Sequence, residues 1–317
     1  MRSVASQHFP RVVFRNGEKL LWNPLVKRSF ANRPEERVRL RLLDHLLLER
    51  NWSPHRITTE HAISINHQEA KKRADIVCFN QDFSPRLLIE CKAENISLNE
   101  STGQQIARYN SRIKSPFLML SNGINDHFFS IDSKENLKRL DNWPEILPNE
   151  SISINRTFSY WADRGFVGQK TEPHLRNWIS DVQSWFWINA PIDKQTQKIT
   201  YLVLKQSPTQ LNLEHYYKVF LFSQYSMKVA VSFIATAFGG NRLVAIINKK
   251  GHNEGIIEVN LDLMAKDIKP NAIIYSSNGE DGMDVRDFLS FDFEKFEHNQ
   301  LQDLPEKFIQ LFKHINS

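Results

Sequence analysis

The most constraining feature of this chain is a pair of strand-like runs, Ala74 to Phe79 and Leu87 to Lys92, each carrying charge within an otherwise apolar stretch. Along a strand, residues i and i+2 share a face. Glu90 and Lys92 therefore project together while Leu87, Ile89 and Cys91 face the other way. Asp75 shares its face with Val77 and Phe79, leaving Ala74, Ile76 and Cys78 opposite. If the two runs pair as a hairpin, Asp75 can lie beside Glu90. Two carboxylates held close repel each other at neutral pH, and a divalent cation would relieve that repulsion. Hard oxygen ligands with open positions suit Mg²⁺ or Mn²⁺, which keep waters and bind substrate phosphates directly. Lys92 beside such an ion could orient an attacking water, help it lose its proton, or stabilise a pentavalent phosphate. Metal-assisted phosphodiester hydrolysis is the reaction this pattern points to.

The surrounding sequence predicts how these strands are held. Val12 to Phe14, the turn Asn16-Gly17 and Leu20 to Trp22 read as an extended arm or short hairpin. A helix follows, with Asn32 as N-cap, Pro34 and Glu35-Glu36 in the first turn, leucines at helical spacing from Val38 to Leu48, and an exit at Pro54. Strands are expected over Ile57 to Ile65 and in the two runs above, a second helix from about Asn99 to Ile113, and strands at Phe117 to Leu120 and His127 to Ile131. That order predicts an α/β domain over residues 1–131, built on a mixed sheet flanked by helices. The polar stretch 132–151, with Pro144, Pro148 and Asn149, reads as a linker. Residues 152–317 alternate strand-like runs (Thr200 to Leu204, Lys228 to Phe238, Leu243 to Asn248, Ile256 to Leu263, Ala272 to Ser276) with turns, after a helical region rich in tryptophan. They predict an α+β domain with an antiparallel sheet, capped by the amphipathic stretch Leu304 to Ile315.

Both helices of the first domain offer further candidates. Glu36 falls on one stripe with Leu40, Leu43 and Leu47 and either caps the helix or reaches the active face of the sheet. Glu35 shares its stripe with Arg39 and is expected to face solvent. On the second helix, the Gln105 amide could bind a phosphate oxygen or hold the water. Arg108, Tyr109 and Arg112 follow, and for the two arginines a solvated face is the preferred reading. The aromatic residues from Tyr160 to Trp187 read as core rather than as a base-stacking platform, and Lys249 to Asn253 as a solvated hairpin tip.

Charge favours a polyanionic partner. Of the 317 residues, 1–130 hold 20 basic against 13 acidic side chains, net +7, and the remainder 21 against 23, net −2. A basic domain attracts a nucleic-acid backbone. The two cysteines, Cys78 and Cys91, are too few for a disulfide framework or zinc ribbon and read as buried thiols. No apolar signal region or eighteen-residue apolar window occurs, so a cytoplasmic protein without membrane contact is expected.

In order along the chain, Arg33-Pro34-Glu35-Glu36-Arg37-Val38-Arg39, Thr59-Glu60, Lys72-Arg73-Ala74-Asp75-Ile76-Val77, Leu88-Ile89-Glu90-Cys91-Lys92-Ala93, Gln105-Ile106-Ala107-Arg108-Tyr109-Asn110 and Leu120-Ser121-Asn122-Gly123 resemble the N-terminal nuclease domain of type I restriction enzyme R subunits. That domain belongs to the PD-(D/E)XK superfamily, and the resemblance spans about residues 8 to 131. It implies that Asp75, Glu90 and the Cys91 carbonyl bind metal, that Lys92 is the catalytic lysine, that Glu36 is the helix-borne acid and that Gln105 supports the site. R subunits also carry a helicase motor, whereas no G-x-x-x-x-G-K-[ST] phosphate loop occurs here, so the likeness is to stand-alone members. The expectation is a Mg²⁺- or Mn²⁺-dependent endonuclease acting on DNA, in restriction, defence or repair. Its rivals are a catalytically silent nucleic-acid-binding module and an RNA- or structure-selective nuclease. Symmetric double-strand cutting would need two sites and hence a homodimer. The second half resembles no family.

Overall fold

The structure, a computed structural model, describes residues 1–62, 73–134, 136–144, 152–189, 196–204 and 213–315. They form two compact units, one of residues 1–15 and 19–155, the other of residues 16–18 and 156–317.

In the first unit, β1 (Arg11–Arg15), β2 (Glu18–Asn23) and β3 (Arg28–Phe30) form a small meander. Its first turn has positive φ at Asn16 (51°) and Gly17 (80°), the combination a two-residue type I′ hairpin demands. α1 (Pro34–Asp44) starts with proline in its first turn. Its N-cap is Arg33 without a side-chain hydrogen bond, in place of the expected Asn32. The helix then continues into a π-helical turn, His45–Glu49. Val38, Leu42, Leu43 and Leu46 of this segment pack on Ile76, Cys78, Leu87, Ile89 and Cys91.

The larger sheet is built from β4 (Ile57–Ala62), β5 (Arg73–Phe79), β6 (Pro85–Cys91), β7 (Phe117–Ser121), β8 (Asp126–Ile131) and β9 (Leu137–Leu140), in that spatial order. All neighbours are antiparallel except β6 and β7. A parallel pair requires a crossover, which α2 (Glu100–Ile113) supplies. Asn99 opens α2 with a capping box: its side chain accepts from the Thr102 N–H while the Thr102 hydroxyl accepts from the Asn99 N–H. Ile106 of α2 packs with Val77, Leu88, Leu118 and Leu120. The alternation of β5 and β6 thus divides the apolar side chains between one helix and the other, giving the expected mixed sheet flanked by helices, except that Ala74, expected on the face of Ile76 and Cys78, packs with Val77 and Ile106 on the α2 side. The end of the first expected strand, 63–65, and Lys72 lie outside the described residues. One expectation is corrected: within the supposed linker, Leu137–Leu140 pairs with β8 as the sixth strand, and Trp143 is buried edge-on to Phe128 with ring centroids 5.4 Å apart. Its polar, charged composition suits an edge strand, which is why it reads as a linker.

The second unit carries α3 (Phe158–Ala162), α4 (Pro173–Ser184) and an antiparallel seven-stranded meander of β10 (Thr196–Leu202), β11 (His215–Phe222), β12 (Met227–Ala235), β13 (Asn241–Lys249), β14 (His252–Asn260), β15 (Ala272–Ser276) and β16 (Gly279–Met283). β11 and β16 are additional to the strands expected. The predicted Ile256 to Leu263 strand ends at Asn260, whose side chain accepts from Leu263 N–H and so starts α5 (Leu261–Ala265). α6 (Asn299–Gln302) and α7 (Leu304–Ile315) close the chain, and Phe312 of α7 lies over Gly255, where a β-carbon would come within 2.2 Å of its ring. Trp161, Trp178 and Trp187 are buried and Phe186 meets Phe233 at 5.4 Å, so the aromatic cluster is core. Lys249 to Asn253 spans a hairpin tip with positive φ at Lys250 and Gly251. Among the described residues no helix is long and apolar enough to cross a membrane.

Candidate active site

The register of β5 on β6 ends with Ile76 paired to Ile89, and Asp75 and Glu90 are the residues that adjoin that last pair. The backbone N–H of Cys91 donates to Asp75 Oδ2 at 2.7 Å. Lys92, just beyond β6, donates from Nζ to Glu90 Oε1 at 2.7 Å and to Gln105 Oε1 at 2.9 Å. Gln105 Nε2 donates to the same Glu90 oxygen at 2.6 Å and also lies 3.1 Å from the Tyr109 hydroxyl. One carboxylate oxygen of Glu90 thus receives a lysine and a glutamine. The other, Oε2, is buried without a hydrogen-bond partner among the described residues.

From the other helix, Arg39 joins the acids. Its guanidinium donates to Glu36 Oε2 and reaches Glu60 Oε1 and Asp75 Oδ1 at 3.4 and 3.5 Å. Glu35 is exposed, as expected, whereas Arg39 on the same stripe has a side chain only 11% exposed and turns inward. Glu36 is buried and, like Glu90, has an oxygen, Oε1, without a partner among the described residues. Glu60 sits in β4 with φ +54°, a left-handed conformation that costs a non-glycine residue about 1–2 kcal/mol and re-aims its side chain. Sequence reasoning did not assign Arg39 or Glu60 to the site. For Arg39 the usable signal was its position three residues after Glu36, a separation that brings helical side chains together. For Glu60 strand periodicity gave none, because it presumes extended backbone, and the usable signal was its place in the Thr59-Glu60 segment of the family resemblance.

Electrostatically, the acids are crowded. Burial, with the neighbouring Asp75 charge, holds Glu90 above the usual carboxylate range despite Lys92. Burial likewise raises Asp75, against the opposing pull of the Cys91 N–H, Arg39 and Lys92. Burial pushes the Cys91 and Cys78 thiols up, and the Cys91 side chain is packed in the apolar cluster beneath α1. Arg108 and Arg112 are exposed and Tyr109 is half-buried, in keeping with a solvated face. The arrangement therefore brings Asp75, Glu90, Lys92 and Gln105 into one hydrogen-bonded group and joins Glu36 to it through Arg39. Buried carboxylate oxygens lacking donors, beside a second acid, fit a hard divalent cation, since such an ion satisfies oxygens that no hydrogen reaches.

Residues 34–144 match the family model described as the type I restriction enzyme R protein N terminus, about a third of the chain. The match spans α1, both acid-bearing strands, α2 and the rest of the six-stranded sheet through β9. No curated protein matches the chain. The first unit thus contains a region similar to that family, which suggests a restriction-related or nuclease role.

Proposed function

We propose that this protein is a divalent-metal-dependent endonuclease that hydrolyses DNA phosphodiester bonds in restriction, defence or repair. The observation that carries the reading is the group formed by Asp75, Glu90, Lys92 and Gln105, with an oxygen of Glu90 buried and without a donor among the described residues. Asp75, Glu90 and the Cys91 carbonyl would hold Mg²⁺ or Mn²⁺, which when bound supplies a Lewis acid and a water of lowered pKa. Lys92 donates hydrogen bonds to a phosphate oxygen and offsets the negative charge gathering there. Gln105, bonded to both Glu90 and Lys92, fixes their separation so that little reorganisation accompanies the reaction. Arg39 holds Glu36 and Asp75 from the side of α1 and keeps three acids compatible with one folded site. The surplus of positive charge in residues 1–130 supports a polyanionic substrate.

The test is incubation of purified protein with supercoiled, linear and single-stranded DNA in Mg²⁺ or Mn²⁺, beside Asp75→Ala and Lys92→Ala proteins. Metal-dependent cleavage lost by about 10²-fold or more in both variants is expected. DNA binding without cleavage in all three proteins would instead identify a binding module, and inertness toward DNA with cleavage of RNA would move the substrate class.

A further inference from the structure

Away from the acid group, the amino-terminal arm meets the end of α1 in a second cluster of metal-ligating side chains. His8 and His45 are both about 1% exposed, and Glu49 is 27% exposed. His8 Nε2 lies 2.8 Å from Glu49 Oε2, His45 Nδ1 lies 3.0 Å from the same oxygen, and the two nitrogens are 3.4 Å apart. Three ligand atoms on a tetrahedral zinc ion, with bonds of about 2.0–2.1 Å, stand roughly 3.4 Å from one another. The triangle therefore closes on such an ion with shifts of about half an ångström. We propose that His8, His45 and Glu49 form a metal site for a divalent ion of the zinc class, separate from Asp75 and Glu90, that fastens the arm to α1.

Three observations beyond the triangle support it. His8 Nδ1 lies 3.2 Å from Asp44 Oδ2, so in the tautomer that metal binding requires the ring donates there and its Nε2 lone pair turns into the cluster. That carboxylate–histidine pairing is the usual support of a metal-bound imidazole. The ligands are held in place independently of any ion: Arg41 Nε donates to the carbonyls of Ala5 and His8 at 3.2 and 3.0 Å, and His45 meets the Trp143 ring edge-on at 5.5 Å. Third, the π-helical turn from His45 to Glu49 changes the helical spacing at the point where both ligands sit, and such turns concentrate at functional positions. Two imidazoles and a carboxylate are a donor set of zinc rather than of magnesium, and the partial exposure of Glu49 leaves the fourth position to water.

One neighbour competes with occupancy. Arg50 Nε lies 3.2 Å from His45 Nε2, which as acceptor leaves the ring proton on Nδ1. Binding moves that proton to Nε2 and turns the Arg50 guanidinium away, toward the Trp143 ring it already overlies at 4.8 Å. Substituting Arg50 should therefore strengthen the site, an outcome that a purely hydrogen-bonded cluster would not give.

The experiment is a titration of chelator-stripped full-length protein with Co²⁺, then Zn²⁺, beside an Asp75→Ala/Glu90→Ala protein in which the other acid pair cannot bind. One equivalent of Co²⁺ with the visible absorption of a four-coordinate ion, displaced by Zn²⁺, is expected in both. His8→Ala should abolish that spectrum, Asp44→Asn should weaken binding about 10–100-fold, and Arg50→Ala should tighten it. Asp44→Asn and Arg50→Ala keep all three ligands, so they report even where His8→Ala does not fold. Failure to bind an equivalent at micromolar metal, an unchanged spectrum in His8→Ala, or weaker binding by Arg50→Ala would each overturn the proposal.

Discussion

Arg39 shows how a single residue can govern a cluster of acids. It bridges Glu36, Glu60 and Asp75 from a largely buried position. Removing one partner of a buried ionic group leaves the other charges uncompensated, at a cost of about 3 kcal/mol. Arg39→Ala should lower stability by about that amount in urea unfolding at neutral pH. Arg39→Lys should restore little of it, because a point charge lacks the planar fork that spans several carboxylates. Asp126 makes the opposite case. Burial raises its carboxyl to about 6, outweighing the hydrogen bond from Val4 N–H at 2.7 Å. A folded pKa above the unfolded one means that the native state binds the proton more tightly. This stability is fully present below pH about 4 and is lost as pH rises through about 6. Asp126→Asn should therefore match the parent near pH 4 and exceed it by up to about 3 kcal/mol above pH 7, as measured by denaturant unfolding across that range.

Among the elements, β14 and α7 are coupled through Gly255. A β-carbon there would lie 2.2 Å from the Phe312 ring, so Gly255→Ala must displace the ring or the helix that carries it. Overpacking of this kind costs about 1–3 kcal/mol. Gly255→Ala should lower the melting temperature, and adding Phe312→Leu should recover part of the loss, a coupling that a double-mutant cycle reads directly. In the first unit, β6, α2 and β7 make the one parallel crossover of the six-stranded sheet, and the proposed chemistry gathers at the end of β6 where α2 begins. Both helices are then needed: α2 brings Gln105 to Glu90, and α1 brings Arg39 and Glu36 to Asp75.

At the scale of the whole molecule, charge is divided as sharply as the fold. With net +7 in residues 1–130, DNA binding should rest mainly on phosphate contacts. Its affinity should fall linearly with salt on logarithmic axes, losing about 0.9 in slope for each phosphate neutralised on duplex DNA. Filter binding at a series of salt concentrations measures this. A salt-independent affinity would place recognition elsewhere.

Much of this was legible from sequence because the relevant rules are local. Strand alternation alone put Glu90 and Lys92 on one face and Asp75 on its own, and a hairpin reading brought the acids together. Helical spacing placed Glu36 and Gln105 on candidate faces, Asn99 to Ile113 was recognisable as a helix, and Asn16-Gly17 as a hairpin turn. What the sequence by itself determined is therefore the identity of the acid-bearing strands, the mixed-sheet class and the charge of the first domain. Only the tertiary structure decided that Arg39 turns inward, that Glu60 joins it through a left-handed backbone, that Leu137–Leu140 completes the sheet, and that His8 meets His45 and Glu49. Each of these depends on groups brought together by sheet order and helix packing. Their contact energies arise between segments far apart in the chain, and residue periodicity within either segment does not encode them.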